Sequence, residues 1–296
     1  GAFLKRYCSE RGITHVHVHS CANSANVAMF MYILGGPSYS LTLHGPLRDY
    51  GSNQDNKWKY AKFCIVITRE LLAEVEERLE KIELPPIYLA PMGVRVNEFK
   101  RKSEYIAPSS GQEVRLVSCG RLNFVKGHDD LIRAVAMLKG RGVTARLHIC
   151  GSSDSLSEVG SYANGLKKLC AELGVTDTVT FLGSISEEQV KMELENAHFF
   201  CLGSLKEPLG VAIMEAMAME VPVVVCRSPG VEEMVGQDVN GIMVDPRSPN
   251  QFADVIQELI GSPERCLKLS KMGRERIVEC FHSGLSASKI AEGLES

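Results

Sequence analysis

Two carboxylates, Glu207 and Glu215, and two cations, Arg121 and Lys126, have the types and spacing in this sequence that could do chemistry. Residues 208–226 read PLGVAIMEAMAMEVPVVVC, an apolar helix pattern running into an apolar strand pattern, and Glu215 interrupts the helix in its middle. A helix of strong helix formers that is apolar nearly all round is a buried helix. An unpaired carboxylate there costs on the order of several kcal/mol, so Glu215 needs a compensating partner or a wet cleft with something to hold. Glu207 stands just before the Pro-Leu-Gly turn that opens the same helix. Two acids flanking a glycine turn at a helix N-terminus suit a polyhydroxyl ligand that also carries negative charge.

The cations fit the same ligand. Leu116–Ser118 run into Cys119-Gly120-Arg121, and Lys126-Gly127-His128 follow before a helix pattern around Asp130–Leu138. This places Gly120, Arg121 and Lys126 at the carboxyl edge of a parallel sheet, where open α/β folds bind ligands. Arg offers a planar fork and Lys a point charge, both suited to a diphosphate. Gly210 lets backbone approach a ligand closely, and the free N–H groups and positive dipole end of the helix N-terminus favour phosphate. The competing reading makes Arg121 and Lys126 solvated loop cations, Glu207 a surface cap and Glu215 one half of a buried ion pair.

The elements that position these groups alternate strand and helix. Strand patterns lie at Thr14–Val18, Tyr39–Leu43, Phe63–Thr68, Ile87–Ala90, Arg115–Cys119, Arg146–Cys150, Val179–Leu182, Phe199–Leu202, Val221–Cys226 and Gly241–Val244. They are short and rich in β-branched residues, as in parallel sheets covered on both faces. Ser186 with Gln189 has capping-box form before a helix over Val190–Asn196. The polar stretch KRKSEYIAPSSGQE has neither periodicity and reads as a linker. The expected organisation is a first domain over residues 1–99, a linker over 100–113, and a second domain over 114–280. The first domain is too short to match the second, so the sequence is expected to begin partway through it.

Composition narrows the function. The chain has 296 residues with 45% hydrophobic and 23% charged content, ordinary for two globular domains. A net charge of −3 leaves no cation excess for a dedicated nucleic-acid binder. Ten cysteines without a CxxC pair read as small reduced core residues of a cytoplasmic protein. His15, His17 and His19 alternate along one strand face without an acidic or thiol cluster, so no metal is expected there. His128-Asp129-Asp130 reads as helix capping. Lys57, Lys59 and Lys62 around Trp58 read as a surface patch, with peripheral contact to an anionic membrane as the alternative.

VSCGRLNFVKGHDDLIRA, FLGSISEEQVKMELENAHFF, EPLGVAIMEAMAMEVPVVV and GVEEMVGQDVNGIMVDP, in that order, resemble the donor half of family 4 retaining glycosyltransferases with the GT-B fold. The resemblance spans nearly all of residues 87–295, and the E-x7-E element from Glu207 to Glu215 is its strongest motif. HVHVHS, Tyr39–Gly45 and Ile87–Phe99 are similar to the later part of that family's acceptor domain, and the wording MEAMAMEVPVV looks most like enzymes of bacterial exopolysaccharide or capsule assembly. The resemblance implies two Rossmann-like domains facing a cleft, with the N-terminal (acceptor) one incomplete, and a C-terminal helix over 281–296 that can cross back to the first domain. It implies that Arg121 and Lys126 grip the donor diphosphate, that Glu215 holds the ribose and that Glu207 holds the transferred sugar. Leu209, Gly210 and Val211 would line phosphate and sugar, and His44, in LTLHG, matches a His that reaches the sugar from the other domain. Met92 and Arg95 depart from the family, which usually has Asn and Asp there.

The expected activity is transfer of a sugar from a UDP- or GDP-type nucleotide sugar to a glycan or lipid-linked acceptor, without a cofactor or metal. The alternative is a catalytically inactive nucleotide-sugar-binding module. A NAD-dependent enzyme is disfavoured because no GxGxxG follows any strand pattern, and a nucleotide-sugar epimerase fits the Glu pair less well.

Overall fold

The computed structural model describes residues 1–152 and 159–296. The chain forms two compact units, one of Gly1–Gly93 with Ser283–Ser296, the other of Val94–His282. Each of the ten expected strands has an observed counterpart, and every strand pair is parallel.

In the first unit the order is β1-β2-β3-β4, from β1 (His15–Val18), β2 (Ser38–Leu43), β3 (Cys64–Val66) and β4 (Ile87–Leu89). Sequential order requires a crossover after each strand, and α2 (Asn23–Ile33), α3 (Gln54–Lys59) and α4 (Arg69–Arg78) supply them; α1 (Ala2–Glu10) precedes β1. Thr68 caps α4 by accepting from the Leu71 amide. The C-terminal helix α12 (Ser283–Glu295) belongs to this unit: Lys62 Nζ donates to the Leu294 carbonyl at 2.7 Å, and Phe63 lies so close to Gly293 that a Cβ there would come within 2.6 Å.

One surface expectation fails here. Trp58 and Lys57 are both buried, so Lys57 takes no part in a basic surface patch, and only exposed Lys59 and half-buried Lys62 remain of the three lysines. The single Trp supplies core area, and it carries the adjacent Lys inward with it.

The second unit has six strands: β5 (Val114–Cys119), β6 (Ala145–Cys150), β7 (Val179–Gly183), β8 (Phe199–Leu202), β9 (Val223–Cys226) and β10 (Ile242–Val244), ordered β10-β9-β8-β5-β6-β7. The chain leaves β5 toward β6 and β7, then returns to build outward from β8. The strand order therefore reverses between β5 and β8, the place where open α/β sheets bind ligands. Val114, Leu116, Leu147, Ile149, Phe199 and Val224 pack one continuous core with helical residues. α5 (His128–Gly140) contributes Leu131, Ile132, Val135 and Leu138; α10 (Pro249–Ile260) contributes Phe252, Ala253, Ile256 and Leu259. That spacing of three and four is the apolar stripe of a helix lying on a core.

The connecting stretch 100–113 runs with this unit. Arg101 donates to the carbonyls of Leu194, Glu195 and Met219, and buried Tyr105 donates to the His198 carbonyl. The other helices of this unit are α6 (Val159–Glu172), α7 (Glu187–Asn196), α8 (Val211–Ala218), α9 (Pro229–Glu232) and α11 (Pro263–Cys280). Strand β9 starts two residues later than its apolar run suggests. α8 ends with Glu220 in the left-handed region (φ 56°), and the Val221 amide turns back to the Ala216 carbonyl, so Val221 closes the helix.

Candidate functional site

The loops leaving β5, β6 and β8 meet backbone against backbone, which only glycine permits. A Cβ on Gly151 would stand 1.9 Å from the Gly120 carbonyl oxygen, and one on Gly127 (φ 60°) 2.0 Å from that of Gly203. The first contact fixes Gly120 at the end of β5, where its amide also donates to the Cys150 carbonyl at 2.9 Å. The second ties the Arg121–Lys126 loop to the loop that leads to Glu207. Arg121 is exposed on this loop, and its carbonyl accepts from His128 Nε2 at 3.2 Å. His128 is buried, and burial pulls its pKa down to about 4. Its neutral ring therefore carries the proton on Nε2, leaving Nδ1 as a buried acceptor without a partner among the described residues.

The capping expected of His128-Asp129-Asp130 takes another form. Gly127 is the N-cap of α5 and no side chain caps the helix. Asp129 and Asp130 lie in the first turn, where negative charge suits the helix dipole, and both face Arg247, at 2.9 and 3.5 Å.

Glu207 is buried, and its carboxylate lies 2.5 Å from Lys126 Nζ. The sequence places both groups at one ligand; the structure shows them joined to each other, across the sheet's switch point. The turn that follows is held rigidly. Gly210 takes φ 83° as the N-cap of α8, and a Cβ on Gly230 would lie 1.9 Å from the Pro208 carbonyl oxygen. Ser228 Oγ donates to the Glu207 carbonyl at 3.3 Å. Leu209 is buried, Val211 is exposed, and the first-turn amides of α8 point away from the helix body.

Glu215 sits one turn into α8, half-buried. Among the described residues no hydrogen bond or ion pair reaches its carboxyl group. Burial, with Glu187 adding repulsion, pushes its pKa up to about 7. Arg95 and Lys191 pull the other way, but both are engaged elsewhere. Arg95 pairs with Glu187 at 2.6 Å and Glu98 at 3.0 Å, and Lys191 with Glu187 at 2.9 Å and Glu188 at 3.0 Å. The reading of Glu215 as half of a buried ion pair therefore fails. Sequence reasoning missed the Arg95–Glu187–Lys191 cluster. The capping box was its available signal: Ser186 Oγ accepts from the Gln189 amide while Gln189 Oε1 accepts from the Ser186 amide, which fixes Glu187 at the first position of α7. Ser118, near the end of β5, also has a buried hydroxyl without a partner among the described residues.

In the first unit His44 follows β2 at the carboxyl edge of the sheet. Its Nε2 lies 3.3 Å from His19 Nδ1, and burial, then His19, lowers its pKa. His15 and His17 face one side of β1, as their alternation requires. Their ring nitrogens meet the hydroxyls of Ser38, Ser40 and Thr42 at 2.6–2.8 Å. Among the described residues no cluster of three or more His, Cys, Asp or Glu side chains could hold a metal ion.

Residues 100–276 match the family described as Glycosyl transferases group 1. A GDP-mannose-dependent alpha-(1-6)-phosphatidylinositol monomannoside mannosyltransferase of Mycobacterium tuberculosis is 31% identical over 191 residues, covering 62% of this chain and 48% of that protein. The D-inositol 3-phosphate glycosyltransferase of Corynebacterium jeikeium is 27% identical over 278 residues, covering 86% and 66%. The chain thus spans about half to two thirds of the length of these relatives. Among solved structures, HepE of Anabaena in complex with UDP superposes with a TM-score of 0.85 at 19% identity, over 99% of this chain and 81% of that one. Sucrose-phosphate synthase of Thermosynechococcus elongatus gives 0.81 at 22% identity, over 98% and 75%.

Proposed function

This chain belongs to the glycosyl transferases group 1 family, and from that premise we propose that it moves a sugar from a nucleotide-diphosphate sugar to a glycan or lipid-linked acceptor, with retention at the anomeric carbon. Its fold is that of GT-B glycosyltransferases. The finer assignment is to family 4 and to surface polysaccharide synthesis, the latter in keeping with similarity to a colanic acid glycosyltransferase of Salmonella typhimurium and a lipopolysaccharide core enzyme of Rhizobium meliloti. No helix among the described residues is long and apolar enough to cross a membrane, and ten unpaired cysteines suit a reducing compartment such as the cytoplasm.

The observation that carries the reading is Glu215, a half-buried carboxyl group that no donor among the described residues reaches. A ribose offers two adjacent hydroxyls to such an acceptor. The diphosphate would then lie over Gly120 and along Leu209, Gly210 and Val211, against the positive end of α8. Breaking the anomeric bond leaves negative charge on the diphosphate while the sugar gains oxocarbenium character. Arg121, Lys126 and the α8 amides stabilise that leaving group, and fixed dipoles of this kind do the work without a divalent cation. Glu207 fixes Lys126 by pairing with it and presents its other oxygen to the sugar hydroxyls. We assign no covalent nucleophile; the acceptor attacks from the face the leaving group departs. His44 is assigned to the sugar on the family resemblance.

A thermal-shift panel of UDP- and GDP-sugars on the intact protein tests this reading. Stabilisation by one donor class, with transfer to an acceptor, supports it. Binding without turnover would instead indicate an inactive nucleotide-sugar-binding module, and no stabilisation by any member of the panel would reject both.

A further inference from the structure

We propose that Lys57 is a positioning residue for His44, its buried ammonium tying the loop after β1 to the loop after β2. The proposal rests on the assignment of His44 to the transferred sugar.

Lys57 is 1% exposed, and among the described residues no carboxylate pairs with it. Its Nζ donates to the carbonyls of Cys21, at 2.8 Å, and Tyr50, at 3.3 Å. Cys21 lies in the loop that leaves β1 and carries His19; Tyr50 lies in the loop that leaves β2 and carries His44. The Tyr50 hydroxyl packs beside the backbone that follows His44, where a Cβ on Gly45 would lie 3.5 Å from it. His19 and His44 then stack with ring centroids 5.5 Å apart, Nδ1 to Nε2 at 3.3 Å. The ammonium thus gathers the two loops whose imidazoles meet.

Gln54, on the same helix, braces the same backbone. Its Nε2 donates to the carbonyls of Cys21 at 3.2 Å, Tyr50 at 3.0 Å and Gly51 at 2.9 Å. The helix is itself anchored, because the Tyr39 hydroxyl donates to the Lys57 carbonyl at 2.7 Å and Trp58 is fully buried. Filling space does not require a charge: a Met or Leu would occupy the volume without the desolvation cost of an ammonium. A lysine is needed where carbonyls from two separate loops must be gathered at one point, because a single Nζ carries three donors.

Lys57→Met keeps the length of the side chain and removes the donors; Gln54→Leu removes the second brace and leaves the lysine. Each is made in the full chain and read two ways, by imidazole NMR signals of His19 and His44 and by transfer kinetics. Expected for Lys57→Met are displaced His19 and His44 signals and a kcat lowered about 10- to 100-fold, with the donor KM within about threefold of wild type. Gln54→Leu moves both readouts the same way and decides the matter if Lys57→Met does not fold. Unchanged imidazole signals and kcat in the folded variants overturn the proposal, including where the melting temperature falls, since Lys57 is then only part of the core. A wild-type protein without transfer activity would reject the functional reading, while the imidazole signals would still test the positioning.

Discussion

In the proposed site the chemistry turns on Glu215, and its protonation gives the sharpest prediction at this scale. Burial and Glu187 hold its pKa near about 7, whereas a ribose donates hydrogen bonds best to the ionised group. Nucleotide binding is therefore expected to release a proton between about pH 6 and pH 8, visible in calorimetry as a binding enthalpy that follows the ionisation enthalpy of the buffer. No proton release would mean that the ribose does not use this carboxyl. In the unliganded protein the sign is opposite to that of a salt-bridged acid. The folded-state pKa lies above the unfolded value, so the protonated group favours folding at low pH, and that contribution is lost as pH rises through about 7. Arg121→Ala belongs to the same scale. In the proposed mechanism its guanidinium stabilises charge that develops as the anomeric bond breaks, so kcat is expected to fall about 100-fold with a smaller change in donor affinity. An unchanged kcat would remove Arg121 from the site.

Among elements, the glycine contacts carry the energetics. Gly127→Ala forces a side chain into positive φ and against the Gly203 carbonyl, so it is expected to cost about 3 kcal/mol or more in a chemical melt and to disorder the Arg121–Lys126 loop. Gly140→Ala, at the end of α5 with nothing within 4 Å of the new Cβ, is the control, expected to be neutral or to stabilise by up to about 1 kcal/mol. Equal effects of the two substitutions would refute the role given to backbone contact.

This is also where the limits of the sequence lie. The strands were legible because runs such as VVVC and FFCL have one way to bury every face, and the E-x7-E spacing survives folding because one turn and one helix contain it. The Lys126–Glu207 pair was not legible, since it joins loops from β5 and β8 and depends on the order in which strands assemble. Nor was the Arg95–Glu187–Lys191 cluster, which gathers residues from two distant segments. Lys57 was misread because an ammonium without a carboxylate is normally solvated, and only the fold reveals the carbonyls that accept from it.

On the scale of the whole molecule, buried histidines set the response to acid. In the second unit His128 and His198 are both held at about 4, chiefly by burial, against an unfolded value near 6.5. Their neutral forms favour the folded state above about pH 6.5, and that contribution is lost as pH falls through about 4. Two such groups outweigh the opposite drift from Glu215, so this unit is expected to lose stability between pH 6.5 and pH 4.5. Thermal melts of the wild type and of His128→Asn across that interval check the sign. A wild-type melting temperature that rises on acidification would contradict it.

The central claim is that the unpartnered carboxyl in the apolar helix is kept for a nucleotide ribose. The most direct measurement is calorimetric titration of UDP and GDP into the wild type and Glu215→Gln at pH 8 and pH 6. The account predicts that one nucleotide binds the wild type at least about tenfold more tightly than the variant at pH 8, the loss of a charge-assisted hydrogen bond, with the gap narrowing at pH 6. Equal affinities for the two proteins at both pH values would contradict it.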